Sequence, residues 1–167
     1  MQLSVGPWVI TADPVKTRAA YAGLAPETGA VGGCDCDYCR NFAAASGQSF
    51  VPYPAFFLDT LQSLGIPSQG EMDVTHICET APGSGVHLYD GCFHFIGRID
   101  TAPAERPENV DPNQFSFWFG PPDWPRFPPY TTDQLDFSRL EPYSDYAARI
   151  VQLGFLVHVP WVLRETL

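Results

Sequence analysis

Three cysteines fall within six residues of this sequence, at Cys34, Cys36 and Cys39. They lie just before, or within the first turn of, a predicted helix, and a helix N-terminus favours the thiolate over the thiol. Thiolate sulfur is a preferred ligand of Zn²⁺, which takes four ligands in a tetrahedron and so needs one further Cys or His. The sequence therefore predicts a metal-binding cysteine cluster, and zinc is the metal that this ligand set suits.

The fourth ligand is expected from a strand later in the chain. His94 is the first candidate and Cys92 the alternative, since residues two apart share one face of a strand. His76 and Cys78 form a second pair with the same spacing. The predicted metal ligands are therefore Cys34, Cys36, Cys39 and His94, with Cys92 as the alternative to His94.

Two other interpretations of the cluster remain open. The thiols could be reduced and bind nothing, in which case they diverge and pack as small apolar side chains. Cys36 and Cys39 also form a C-x-x-C at a helix start, which is typical of redox or nucleophilic pairs. A metal site requires the three sulfurs to converge, about 3.5 to 4 Å apart without the ion. It also requires Asp35 and Asp37 to point away, because nearby carboxylates raise thiol pKa values.

Composition indicates one folded domain spanning residues 1–167, with 45% hydrophobic and 17% charged residues. Lys and Arg total 9 against 19 Asp and Glu, a formal charge of −10, and Lys16 is the only lysine. Such a chain repels a phosphate backbone, so we expect no nucleic-acid partner.

No targeting or membrane signal is recognised. Residues 1–18 lack a basic region followed by an unbroken apolar run, and the longest apolar stretch, residues 147–163, is interrupted by polar side chains. We therefore expect a cytoplasmic protein without membrane association. In that reducing compartment the five cysteines, an odd number, are expected to be free thiols or metal ligands rather than disulfides.

Hydrophobic periodicity predicts an α+β fold in which early short helices pack on one face of a late, mainly antiparallel β-sheet. The Asp90-Gly91 dipeptide within residues 86–99 is consistent with a tight hairpin turn or with a bulge in one longer strand. The predicted helices cover residues 15–24, 35 or 37 to 47, and 54–64, and the predicted strands cover residues 3–10, 72–78, 86–99, 115–119 and 150–159.

Four short motifs are distributed along the chain. They are Cys34, Cys36, Cys39 and Asn41; Leu64-Gly65-Ile66; Tyr89, Gly91, His94 and Gly97; and Pro160-Trp161-Val162-Leu163. In these motifs the sequence resembles a family of uncharacterised bacterial proteins that carry a Cys-x-Cys-x-x-Cys-x-Asn segment and a terminal Pro-Trp-Val-Leu. No activity is established for that family, so the resemblance implies which positions to examine first and transfers no catalytic residue.

The functional expectation is a binding or interaction protein, not an enzyme, in which the cysteine cluster holds structural zinc. A protein partner fits this expectation, because residues 115–127 place aromatic side chains among prolines, either as a docking surface or as a lid on the core. The alternative is a thiol-dependent redox enzyme, or a metal-dependent enzyme that uses the cluster. The sequence contains no serine nucleophile elbow, phosphate loop or His-Glu-x-x-His helix.

Overall fold

Three helices and six strands make up the part of the chain that the computed structural model describes, namely residues 1–5, 8–24, 34–47, 53–101, 114–118 and 150–163. For residues 114–118 the description is limited to the backbone. In chain order the elements are β1 (Gln2–Val5), β2 (Trp8–Ala12), α1 (Pro14–Ala22), α2 (Asp37–Gly47), α3 (Ala55–Leu64), β3 (Asp73–Glu79), β4 (Val86–Thr101), β5 (Gln114–Trp118) and β6 (Ile150–Pro160).

The sheet is built around β4, a strand of 16 residues. Its strands follow the order β1-β2-β4-β6-β5, and β3 also pairs with β4. Every pairing is antiparallel except that of β5 with β6. The predicted α+β class, with early helices and a late, mainly antiparallel sheet, is confirmed.

Two strand predictions change in the structure. The opening strand is a pair, β1 and β2, that align antiparallel with Val5 opposite Trp8. Residues 86–99 lie within one unbroken strand, so Asp90-Gly91 makes no turn. The chain reverses earlier, between β3 and β4, where Gly83 and Gly85 have φ of 73° and 63°, values that suit glycine because it lacks a Cβ. The predicted loop at residues 120–130, and all but 115–118 of the aromatic segment 115–127, lie outside the described residues.

The helix ends follow their sequence signals. The Asp13 side chain caps α1 by accepting a hydrogen bond from the Lys16 backbone N–H at 3.1 Å, with proline at the first helical position. Helix α3 ends at Gly65, which has φ of 81° in the left-handed region. A Cβ on Gly65 would lie 2.3 Å from the Pro14 carbonyl oxygen, so this glycine also permits close packing of α3 against the start of α1.

The core forms on the two faces of β4, because side chains alternate along a strand. Tyr89, Phe93 and Phe95 belong to the main hydrophobic cluster, together with Phe42 of α2 and Phe57 of α3. Cys92 and Ile96, on the opposite face of the strand, belong to a second, smaller cluster that also contains Ala20 of α1. Helices α2 and α3 therefore cover the face of β4 that Cys92 and Ile96 do not use.

Helix α1 closes a gap along one edge of β4. On that edge β3 pairs with residues 87–92 and β2 with residues 97–101, so the backbone between them has no strand partner. Side chains of α1 replace the missing strand: the Tyr21 hydroxyl bonds both the N–H and the carbonyl of His94, and the Thr17 hydroxyl accepts from the Ile96 N–H. Backbone polar groups that would otherwise be buried without partners are thereby satisfied.

Candidate metal centre

The three thiols of the sequence cluster converge at the start of α2. The sulfur atoms of Cys34, Cys36 and Cys39 all lie within 4.8 Å of one another. Cys34 and Cys36 are exposed and Cys39 is half-buried. The interpretation as core packing therefore does not apply to this triplet, and the three sulfurs form a cluster that is able to hold a metal ion.

Local helix geometry explains why the sulfurs meet. The carbonyl of Cys36 accepts the backbone N–H of Arg40 at 3.0 Å, so Cys36 occupies the residue position that caps α2. Its sulfur accepts a hydrogen bond from the backbone N–H of Cys39, in the way that a Ser or Asp side chain caps a helix. The Cys36 N–H in turn points to the Cys34 sulfur at 3.5 Å. Backbone donors thus orient two of the three sulfurs.

The three thiols ionise unequally. The N–H of Cys39, together with hydrogen bonds from the Cys34 and Cys39 thiols, holds the pKa of Cys36 below its ordinary value. Burial raises the pKa of Cys39 to about 12, and the neighbouring Cys36 and Cys34 sulfurs add to that rise. One thiolate forms readily, and further ionisation requires a positive charge at the site. A divalent cation supplies that charge.

The acidic neighbours stay out of the cluster. Among the described residues, neither Asp35 nor Asp37 belongs to the group of converging ligand atoms. Asp37 forms an exposed ion pair with Arg40 at 3.1 Å instead. The donor set is therefore three sulfurs, which suits a soft or borderline metal ion and not Mg²⁺ or Ca²⁺.

The structure does not bring the candidate fourth ligands to the thiols. Within the described part of the chain the converging group contains neither His94 nor Cys92. His94 is 3% exposed and its Nε2 lies 3.5 Å from the Gln152 Oε1, while Cys92 packs in the second hydrophobic cluster with Ile96. His94 and Cys92 lie on the face of β4 opposite to the one that α2 covers, and this explains why they are separated from the thiol cluster.

A buried amide holds α2 in place behind the thiols. Asn41 is fully buried, and its Nδ2 donates to the Pro160 carbonyl at 3.1 Å and to the Tyr89 hydroxyl at 3.4 Å. Its Oδ1 accepts the backbone N–H groups of Val162 at 2.7 Å and Leu163 at 3.4 Å. The Asn41 side chain therefore joins the motifs that contain the cysteines, Tyr89 and residues 160–163 into one hydrogen-bond network.

A second polar cluster lies beside the thiols, and the sequence analysis found only part of it. His76 Nε2 and His87 Nδ1 are 2.9 Å apart, on neighbouring strands. The ring of Tyr38, which stands between Cys36 and Cys39 in the chain, stacks on His76 with centroids 3.8 Å apart. Trp161 lies 4.9 Å from His87. His76 was a candidate by spacing, whereas no motif indicated His87, Tyr38 or Trp161 as its neighbours.

Two acidic side chains of the β3–β4 hairpin have shifted pKa values. Glu79 stands opposite His87, and its Oε1 accepts the Gly85 N–H at 2.9 Å. That bond and others from the turn backbone lower the Glu79 pKa, with a smaller contribution from His87. Asp90 lies farther along β4, opposite Thr75, where burial raises its pKa to about 6.

No known protein family, curated protein or solved structure matches this chain. The resemblance drawn from its motifs thus gains no further support, and the functional argument rests on the geometry of the sites. Among the described residues, no helix is long and apolar enough to cross a membrane.

Proposed function

We propose that this chain is a metal-binding protein in which Cys34, Cys36 and Cys39 hold one Zn²⁺ ion. The convergence of the three sulfurs supports the proposal. With Zn–S bonds of about 2.3 Å, neighbouring sulfurs of a tetrahedral site lie about 3.8 Å apart. The sulfurs, which lie within 4.8 Å of one another, need to move closer by no more than about 1 Å, a shift that side-chain rotation provides.

The proposed role is binding, not catalysis. Two of the three thiols are exposed, so the fourth coordination position faces outward and accepts water or a side chain from a protein partner. The Asn41 network fixes α2 to the sheet, and the metal would fix residues 34–36 to α2. We place this function in the cytoplasm, where a reducing environment keeps thiols available as ligands.

Elemental analysis tests the proposal. Protein purified without added metal should carry about one zinc per chain, because thiolate zinc sites bind too tightly to lose the ion during purification. Cys36→Ser and Cys39→Ser should each reduce that content at least several-fold. Cys78→Ser is the matched control, since Cys78 is an exposed cysteine outside the cluster, and it should keep the wild-type zinc content.

Two results together would overturn the zinc proposal. The first is a metal content below about a tenth of an equivalent for any transition metal. The second is reaction of all three cluster cysteines with a disulfide reagent in the folded protein. Zinc content that persists in the Cys36→Ser/Cys39→Ser double variant would equally place the metal elsewhere.

Thiol redox chemistry is the second candidate, and the unequal thiol pKa values favour it. Cys36, with its lowered pKa, suits an attacking thiolate, and Cys39 suits a resolving thiol. Cys36 would attack a low-molecular-weight disulfide and release one thiolate. Cys39 would then displace the second, closing a Cys36–Cys39 disulfide while two electrons pass to the substrate.

Equilibration of the metal-free protein with glutathione buffers separates the two candidates. A reversible Cys36–Cys39 disulfide that forms at cytosolic potentials, together with low zinc content, would favour the redox function. A zinc-loaded protein whose cluster resists oxidation would favour the metal-binding function. Cys34→Ser tests whether the function of the cluster needs Cys34, a thiol that the redox pair does not require.

A further inference from the structure

We infer that His76 and His87 form a second metal site, which binds a divalent transition metal ion of the Ni²⁺ or Cu²⁺ type through its two imidazoles. This site lies on the β3–β4 hairpin and does not depend on the zinc proposal. In the described part of the chain, the converging group of potential ligands at the thiols contains no histidine, so the imidazole pair is a separate donor set.

The strand register brings the two rings together. His76 stands opposite Tyr89, and His87 stands opposite Glu79, so the two histidines are diagonal neighbours on the hairpin. The register shifts between His76 and Cys78, and such a bulge changes the direction of a side chain relative to the regular ladder. The result is a contact of 2.9 Å between His76 Nε2 and His87 Nδ1.

That distance matches two ligands on one ion. Imidazole nitrogens bind first-row metals at about 2.0 to 2.1 Å, and two such bonds at a right angle separate the nitrogens by about 2.9 Å. A tetrahedral angle would separate them by about 3.4 Å. The observed 2.9 Å therefore fits adjacent positions of a square-planar or octahedral ion, the geometry of Cu²⁺ and Ni²⁺.

A backbone hydrogen bond orients the ring of His76. Burial and the neighbouring His87 lower the pKa of His76, and its ring donates a hydrogen bond to the backbone carbonyl of Cys78. Because Nε2 faces His87, the donating nitrogen is Nδ1, and Nε2 keeps its lone pair. Histidine ligands of metals are oriented by this kind of hydrogen bond to a carbonyl. The ion would take the place of the proton that lies between the two rings, and that proton would move to Nε2 of His87.

The surroundings hold both rings and leave them accessible. Tyr38 stacks on His76 with an interplanar angle of 6°, and Trp161 packs against His87. Both histidines are half-buried. Glu79 pairs with His87 in the strand register and adds negative charge close to that histidine, and the chain as a whole has a formal charge of −10.

Nickel titration of a variant that lacks the thiol cluster tests the site. The Cys34→Ser/Cys36→Ser/Cys39→Ser variant removes the competing cluster, so failure of the zinc proposal cannot affect the outcome. Isothermal titration calorimetry with Ni²⁺ alone should show binding of one ion per chain. His76→Ala and His87→Ala should each weaken binding at least tenfold, since each removes one of two protein ligands.

Matched variants keep the test decisive. His158→Ala removes a histidine of β6 that lies outside the pair, and it should leave Ni²⁺ affinity unchanged. His87→Gln retains a hydrogen-bonding side chain at the hairpin but is a poor nickel ligand, so it should lose binding with an unchanged unfolding midpoint. Unchanged Ni²⁺ affinity in folded His87→Gln, or no binding at millimolar Ni²⁺ to the variant that lacks the thiol cluster, would overturn the proposal.

Discussion

The Asn41 side chain donates a hydrogen bond to the Pro160 carbonyl at 3.1 Å, joining the first turns of α2 to the end of β6 across 119 residues of sequence. Because Asn41 is fully buried, water cannot replace these bonds when the side chain is removed. The Asn41 amide therefore contributes directly to the position of the thiol cluster relative to the sheet.

Asn41→Ala should lower the free energy of unfolding by about 2 to 4 kcal/mol, since it deletes several hydrogen bonds and leaves buried backbone groups unsatisfied. Urea unfolding followed by circular dichroism measures the change. Arg40→Ala, in the next residue, removes only an exposed ion pair and should change stability by less than about 0.5 kcal/mol. A loss below about 1 kcal/mol in Asn41→Ala would show that the network contributes little.

Gly65→Ala should destabilise the protein more than Gly83→Ala. Both glycines have positive φ, 81° and 73°, so both variants carry the strain of a left-handed residue, about 1 kcal/mol. Only at Gly65 does the added Cβ meet backbone, 2.3 Å from the Pro14 carbonyl oxygen, whereas nothing lies within 4 Å at Gly83. The difference between the thermal midpoints of the two variants measures the cost of this close contact. Equal midpoints would contradict the predicted difference.

Asp90 should make the protein less stable as the pH rises from about 4 to about 6. Burial raises its pKa from the ordinary 3.8 to about 6 in the folded state. In that interval the folded protein holds a proton that the unfolded chain has released, so the free energy of unfolding falls with increasing pH. Asp90→Asn should reduce the slope, as measured by urea unfolding at several pH values.

Asp100→Asn provides the control of opposite sign. Hydrogen bonds from Thr11 and Gln2, together with Arg98, lower the pKa of Asp100. The contribution of Asp100 to the free energy of unfolding is therefore present above its ordinary pKa, and it is lost as the pH falls through the lowered pKa of the folded state. If both asparagine variants change the pH dependence in the same direction, the assignment of the Asp90 slope to burial is wrong.

Cys36 should react faster than Cys39 in the metal-free cluster. Its pKa is lowered by the Cys39 N–H, whereas the Cys39 pKa is raised to about 12. Iodoacetamide at neutral pH should alkylate Cys36 at least about tenfold faster than Cys39, because the thiolate is the nucleophile. Mass mapping of the modified peptides gives both rates. Zinc loading should protect both residues, and faster alkylation of Cys39 would contradict the proposed hydrogen bonding.

The local part of the site was predictable from the sequence. Cys34, Cys36 and Cys39 lie so close in the chain that a helix start alone brings their sulfurs together. The cap at Asp13 and the left-handed end at Gly65 were predictable for the same reason, because each depends on residues within one helical turn.

The long-range part required the structure. His94 was chosen by its spacing along a strand, but spacing does not reveal which face of β4 receives α2. The contact between His76 and His87 depends on a register shift near Cys78 that no turn motif predicts. For Asn41 only a place in a motif was predictable, because its partners at Tyr89 and residues 160–163 lie 48 to 122 residues away.

The central position of β4 also constrains the order in which the chain can be assembled during synthesis. Its partners come from both ends of the sequence, with Ile10 opposite Ile99 and Ile150 opposite Ile96. Until residues 150–160 leave the ribosome, one edge of this apolar strand has no partner and offers a template for pairing with another chain. Nascent chains of this protein are therefore most prone to association while the segment between β4 and β6 is being translated, when a chaperone that shields β4 would be most useful.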